Sequence, residues 1–260
     1  TNSKAVLVDG QGQILARGSS PVGIEHPAPG HVQQDADGIW ESVLGAIADC
    51  LAQRPDVTVA AIGISNQRES VAAWRRSTGE PVGPVITWQC RRTTAWTNAL
   101  KSDGVEPEVI AKTGLPLDPL FPAYKIRWLL ESVETTDDVI VGTVDSWLIW
   151  KFTGGAVHAT DRSNASRTQL LDVRSGQWDA DLSAMFQVPQ DVLPEVCDSQ
   201  HVFGRTRGIA GLDDGTPVAS AIDGAGRGGP GRSLLLGQVR RPNRTLWRRG
   251  VVGCVGVLRR

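Results

Sequence analysis

Apolar and polar positions follow two different periods along this chain, and the switches between them mark its elements. Ala5-Val6-Leu7-Val8 is a short apolar run, Asp9-Gly10-Gln11-Gly12 is a turn with two glycines, and Gln13–Arg17 returns, which predicts a β-hairpin. Ile39, Trp40, Val43, Leu44, Ile47 and Leu51 then recur at helical spacing behind Asp37, which is expected to cap that helix. Val59–Ser65 reads as a buried strand, and Val71–Trp74 and Pro84–Trp88 as strands flanking a Ser77-Thr78-Gly79 turn. Helices are predicted over Thr93–Leu100, Glu106–Ala111 and Tyr124–Ser132. A buried strand over Val139–Val144 leads into a helix over Trp147–Phe152, with Asp145 as its cap, and a further strand is expected over Thr216–Ile222. A hairpin followed by strands alternating with helices predicts an α/β domain with a mixed sheet.

Composition narrows the functional classes. A chain of 260 residues has room for one large domain or two small ones with an ample core. Its 40% hydrophobic and 21% charged content is that of an ordinary soluble globular protein. A formal net charge of −1 argues against a dedicated nucleic-acid or membrane surface. No signal peptide is expected, and no apolar run in the sequence is long enough to span a bilayer. Cys50, Cys90, Cys197 and Cys254 form no CxxC pair, and His26, His31, His158 and His201 are scattered, so no metal site is expected. A reduced, cytoplasmic setting follows as the default. Nine tryptophans stand against one tyrosine; most are assigned to packing, and Trp88 alone to a ligand.

The average charge hides a break after Asp223. Residues 224–260 hold nine arginines and nine glycines but no Asp, Glu or Lys, and the apolar residues past Gly250 keep no helical or strand period. One reading is a basic segment for nucleic acid, which predicts salt-dependent binding lost on truncation after Asp223. The other is a translated frameshift, because G- and C-rich codons read out of frame yield Gly, Arg, Pro and Ala. The composition favours the second, and no folded module is expected there. The expected division is a domain over 1–223 followed by an aberrant tail over 224–260.

The chemistry concentrates in Asn66-Gln67-Arg68-Glu69 and, nineteen residues beyond Glu69, in Trp88-Gln89-Cys90-Arg91-Arg92-Thr93. Arg68 offers a planar fork of donors, Glu69 a pure acceptor and Trp88 a flat apolar surface, which together suit a small polyhydroxylated molecule. In an extended strand Arg68 and Glu69 point to opposite faces, so only a loop lets both reach one ligand. A surface ion pair between adjacent opposite charges is the ordinary alternative.

These stretches resemble the FGGY carbohydrate kinases, and the glycerol-kinase members most. The likeness continues through Thr113-Gly114-Leu115-Pro116-Leu117-Asp118-Pro119, Lys125-Ile126-Arg127-Trp128, Gly142–Trp150 and Thr160–Thr168, and it runs from Thr1 to about Asp223. It implies a ribonuclease H-like domain of the actin-like ATPase superfamily, with the family's first strand and its Asp-x-Gly-Thr phosphate turn lying before Thr1. It implies ATP and Mg2+ as cofactors, held mostly by a second, carboxy-terminal domain that is not expected in this chain. The expected reaction is transfer of the γ-phosphoryl group of ATP to a hydroxyl of a polyol or sugar. Independent catalysis by this chain, an inactive fragment of such a kinase, is not expected; the alternative is a catalytically dead domain, a fragment or pseudogene product, that binds polyol weakly or no ligand.

Carried over by position, Asp223 matches the catalytic base, Arg68, Glu69 and Trp88 the substrate contacts, and Thr1, Asn2 and Lys4 the remains of the phosphate turn. Two places depart from the pattern. Leu120 stands where glycerol kinases place a tyrosine that bonds a substrate hydroxyl, and Gly224 stands where they place a glutamine. Loss of the first bond leaves room for a larger or less polar substrate than glycerol. Phe121 and Tyr124 lie near enough to compensate, although packing suits both. Arg162, Asn164 and Arg167 read as a hydrogen-bonded loop or the lining of a cleft. With a first strand absent from the sheet, exposed edges predict aggregation or a homo-oligomer.

Overall fold

Strand β1 (Asn2–Val8) pairs antiparallel with β2 (Ile14–Pro21) around the Asp9–Gly12 turn, as the hairpin pattern requires. The computed structural model describes residues 2–220 and 251–255. Ser3, Ala5 and Leu7 point inward from β1 with no exposed surface, a period of two that seats the hairpin on one helix. That helix is α1 (Ala36–Ala52), entered from the short strand β3 (Gln33–Gln34), and it buries Ile39, Val43, Ala46, Ile47 and Cys50 against the hairpin. Its cap is Asp35 rather than Asp37: Asp35 has extended backbone and its carboxylate accepts from the Gly38 amide at 2.7 Å. Asp37 sits inside the first turn and pairs instead with Lys151 at 3.1 Å.

The next elements are β4 (Ile62–Ile64), β5 (Val71–Arg75), β6 (Val85–Ile86), α2 (Thr94–Ser102), α3 (Glu106–Thr113) and α4 (Pro122–Glu131). The strand expected over Val59–Ser65 is shorter than its apolar run, because only Ile62–Ile64 finds ladder partners. After them come β7 (Val139–Thr143), α5 (Val144–Phe152), β8 (Ala159–Asp161), α6 (Arg162–Ala165), β9 (Leu171–Asp172), β10 (Gln177–Trp178) and α7 (Ala180–Phe186). The described chain ends with β11 (Glu195–Cys197), β12 (Val202–Arg205), β13 (Pro217–Ser220) and β14 (Val251–Val255).

Among the described residues two larger sheets carry the architecture. One has the order β12-β13-β4-β14-β1-β2 and mixes parallel and antiparallel pairs; the other has the order β3-β6-β5-β7. A core of Trp74, Trp147, Trp150 and Phe152 joins the sheets and α1, and the Trp147 indole N–H donates to the Ala36 carbonyl at 2.9 Å. A second core gathers α3, α4 and α7 around Ile126, Leu129, Leu182 and Phe186. No helix among the described residues is long and apolar enough to cross a membrane.

The position of β14 differs from the sequence expectation. Residues past Gly250 show no period, yet Val251–Val255 is a strand, antiparallel to β1 (Leu7 opposite Val252) and parallel to β4 (Ile62 opposite Val252). It lies inside the six-stranded sheet, between β1 and β4. Ladder position depends on backbone groups seeking partners, and a periodicity of side chains does not report it.

Candidate substrate site

Two parallel strands end together at one edge of the large sheet. Ser220 of β13 lies beside Ile64 of β4, so the chain leaving β4 toward Asn66 and the chain leaving β13 start at the same level. Asp223 and Thr1 lie outside the described residues. β1 runs opposite to β4 through β14, so Asn2 and Lys4, at its start, sit toward the same edge. Asn2 donates its amide to the Ser19 hydroxyl at 3.2 Å, and both Asn2 and Lys4 are exposed.

The Asn66–Glu69 segment is a loop, as its chemistry requires, and it is fixed from several sides. The buried Asn66 amide donates to the Asn164 side-chain oxygen at 3.0 Å, and Gln67 donates to Gln34 at 2.6 Å. Glu69 adopts φ 62°, a left-handed conformation that costs a residue with a side chain about 1 kcal/mol. That turn sends its two ends different ways. The Glu69 carboxylate accepts from Arg167 Nε at 2.7 Å, with the glutamate side chain only 13% exposed. The Glu69 carbonyl accepts from Lys125 Nζ at 3.0 Å.

Lys125 ties in the next wall of the site. Its ammonium also donates to the Leu120 carbonyl at 2.5 Å, and the Leu120 amide donates to Asp118 Oδ1 at 2.7 Å. Asp118 in turn holds Arg91 at 2.8 Å. Trp88 joins through its backbone, whose amide donates to the Ser70 hydroxyl at 3.1 Å, one residue past Glu69. The structure therefore brings the backbones of Glu69, Trp88 and Leu120 together, and the side chains of Arg68, Glu69, Trp88 and Leu120 are all half-buried.

Several expectations change in detail. The ion pair of Glu69 is with Arg167, which also lies 5.0 Å from the Phe121 ring centroid, so that pair is no product of sequence adjacency. Phe121 and Tyr124 are both packed, Tyr124 against Trp96 and Phe186. Asp145 does not cap α5: the cap residue is Thr143, and Asp145 is fully buried in the first turn. Its carboxylate accepts from the hydroxyls of Thr143 at 2.5 Å and Thr160 at 2.8 Å. The role of Lys125 was missed because an isolated lysine on an amphipathic helix looks like a solvated residue. One signal was present: it falls three residues after Pro122 and four before Leu129, on a face that a helical pattern places inward.

Burial sets the protonation of these groups. Lys125 is pushed down to about 7, chiefly by removal from water, with Cys90, Glu69 and Asp118 opposing that fall. The neutral amine keeps two N–H donors, enough for the two carbonyls it serves. Asp145 is pushed up to about 7, first by burial and then by the neighbouring Asp161 carboxylate. A carboxylic acid whose pKa rises on folding stabilises the fold at low pH, and that contribution is lost as pH climbs from about 4 to about 7. Asp145→Asn removes the term. Relative to wild type, the variant should therefore gain stability between pH 5 and pH 8 in urea unfolding. An identical pH dependence in the two proteins would contradict this.

With that geometry established, comparison with known proteins decides the family. The profile of the FGGY family of carbohydrate kinases, N-terminal domain, matches residues 1–225. The chain belongs to the FGGY family of carbohydrate kinases. It is 40% identical over 247 residues to a glycerol kinase of Burkholderia cenocepacia, covering 92% of this chain and 48% of that protein. It is also 40% identical over 246 residues to an apulose kinase of Pectobacterium atrosepticum, with the same coverage. Among solved structures, the ADP-bound glycerol kinase of Plasmodium falciparum superposes with a TM-score of 0.81 at 27% identity, over 86% of this chain and 46% of that one. A ligand-bound xylulose kinase of Lactobacillus acidophilus gives 0.78 at 26%, with the same coverage. The fold is thus that of the FGGY kinases, and the chain spans about half the length of the curated relatives it matches.

Proposed function

We propose that this chain supplies the substrate-binding half of a kinase that phosphorylates a hydroxyl of a polyol or small sugar. The observation that carries this reading is the convergence of Glu69, Trp88 and Leu120 at the sheet edge where β4 and β13 both end. In it Arg68 donates to substrate hydroxyls, Glu69 accepts from them, and Trp88 covers the C–H face. Asp223 takes the proton of the attacking hydroxyl, which is the main covalent help that phosphoryl transfer asks of a protein. ATP supplies the transferred group. Asn2 and Lys4 are two exposed side chains and do not enclose a triphosphate, and no group of three or more His, Cys, Asp or Glu suited to a metal ion occurs among the described residues. Those side chains fit neither nucleotide nor Mg2+ by themselves.

Leu120 points to substrate choice. Its side chain makes no hydrogen bond, so a site that reads hydroxyls loses one discriminating contact with glycerol. Glycerol kinases and an apulose kinase match at the same 40% identity, so the preference for a pentulose-sized substrate rests on Leu120. Titration calorimetry with glycerol, erythritol and xylulose tests this: xylulose should bind at least about tenfold more tightly than glycerol, a difference of about 1.4 kcal/mol. Arg68→Ala should abolish the heat of binding. Unchanged heat in that variant would remove Arg68 from the site. A second reading, binding without turnover, is favoured by the poor fit of Asn2 and Lys4 to a triphosphate. ADP release above background in the presence of sugar would exclude it.

A further inference from the structure

Lys125 has no exposed surface, yet its single ammonium group bonds two carbonyls that belong to separate stretches of chain, at Glu69 and at Leu120. Those stretches are the two walls assigned to the substrate. Each wall is also anchored outward: Glu69 by its carboxylate on Arg167, and Leu120 by its amide on Asp118, which holds Arg91. Arg167 also meets the second wall, its guanidinium 5.0 Å from the Phe121 ring centroid, but among the described hydrogen bonds those of Lys125 alone reach both walls.

The left-handed backbone at Glu69 makes this link more than incidental. With φ 62° and a side chain that disfavours it, the turn persists only if surrounding groups over-determine it. Arg167 holds the side chain, Lys125 holds the carbonyl, and Trp88 is tied to the following residue through Ser70. A buried lysine is a costly way to make two hydrogen bonds, since desolvation penalises its charge. A site under no geometric demand would more simply fill the position with an apolar side chain and let the loops float.

We infer that Lys125 is a positioning residue that locks the Glu69 turn and the Leu120 turn at one separation, and so sets the width of the candidate substrate cleft. Lys125 does not touch the substrate in this arrangement; it acts through the backbones it holds. The inference rests on the substrate reading for its consequence, but its geometric part stands separately.

The test uses the full chain and the variant Lys125→Met, which keeps the length of the side chain and removes all donors. Hydrogen exchange followed by mass spectrometry reads the walls directly. Peptides covering 66–70 and 118–122 should both exchange at least tenfold faster, while β5 and β7 keep their protection. Unchanged exchange in either wall, in a variant that still unfolds cooperatively, would overturn the inference. If Lys125→Met fails to fold, Asp118→Ala provides the second arm. It should loosen the 118–122 peptide, whose Leu120 amide loses its acceptor, and leave 66–70 protected, because Lys125 remains; joint loosening there would also overturn it. Calorimetry with xylulose and glycerol adds the functional readout: Lys125→Met should narrow the ratio of their affinities at least threefold, whereas a purely structural residue would leave the ratio unchanged. If wild type binds neither sugar nor polyol, the substrate reading fails, and the exchange data still decide the role of Lys125.

Discussion

Gly18→Ala will cost the chain on the order of 3 kcal/mol, at the upper end of what overpacking does, although it adds a single methyl group. A Cβ built on Gly18 lies 2.0 Å from the Ala46 carbonyl oxygen and 2.5 Å from the Cys50 amide nitrogen. Both atoms are main chain of α1, so no side-chain rotation relieves the clash. The helix must move off β2, and it carries Ile39, Val43 and Ile47, three of the fully buried side chains of the main core. Close packing transmits such a shift, because interiors have no slack to absorb it. Thermal and urea unfolding of Gly18→Ala should show a large fall in midpoint. Gly23→Ala is the control, since nothing lies within 4 Å of its added Cβ. Equal midpoints for the two variants would show that α1 does not rest on β2 at Gly18.

Ending the chain at residue 249 should have a comparable effect by a different route. β14 is the shared neighbour of β1 and β4, and both of those strands are buried deep in the core at Leu7, Ile62 and Ile64. Without it, two ladders lose their partners inside the sheet. Each unsatisfied buried backbone group costs about 1–3 kcal/mol, and open edges invite pairing with another chain. The shortened protein should aggregate or dimerise in size-exclusion chromatography, with a thermal midpoint that depends on concentration. A monomer with the midpoint of the full chain would mean that Val251–Val255 does not occupy that ladder in solution.

The elements that rest on local pattern were legible. The helix bearing Ile39 to Leu51 announces itself through a 3.6-residue period, and the hairpin at Ala5–Arg17 and the strand at Val139 through short apolar runs bounded by turns. Cap positions were less so. Asp35 and Asp37 are equally good caps by residue type, and only the backbone angle at the helix entrance chose Asp35. Asp145 resembles a cap because it follows a strand, but the helix begins at Val144, three residues before the expected Trp147, and draws it inside. The candidate site was half legible: Arg68, Glu69 and Trp88 stand out through residue type and family motif, whereas Lys125 and Arg167 bind Glu69 across separations of 56 and 98 residues.

From the order of its residues, then, this chain determined its class, its main helices and strands, its family and the stretches that hold its candidate chemistry. Each of these depends on neighbours within a few positions or on a motif that survives as a string. Tertiary structure alone decided which carbonyls Lys125 bonds, why Glu69 turns left-handed, and that a strand from beyond residue 250 lies between β1 and β4. Those outcomes follow from buried polar groups finding partners across the fold, and pairing of that kind has no sequence period to reveal it.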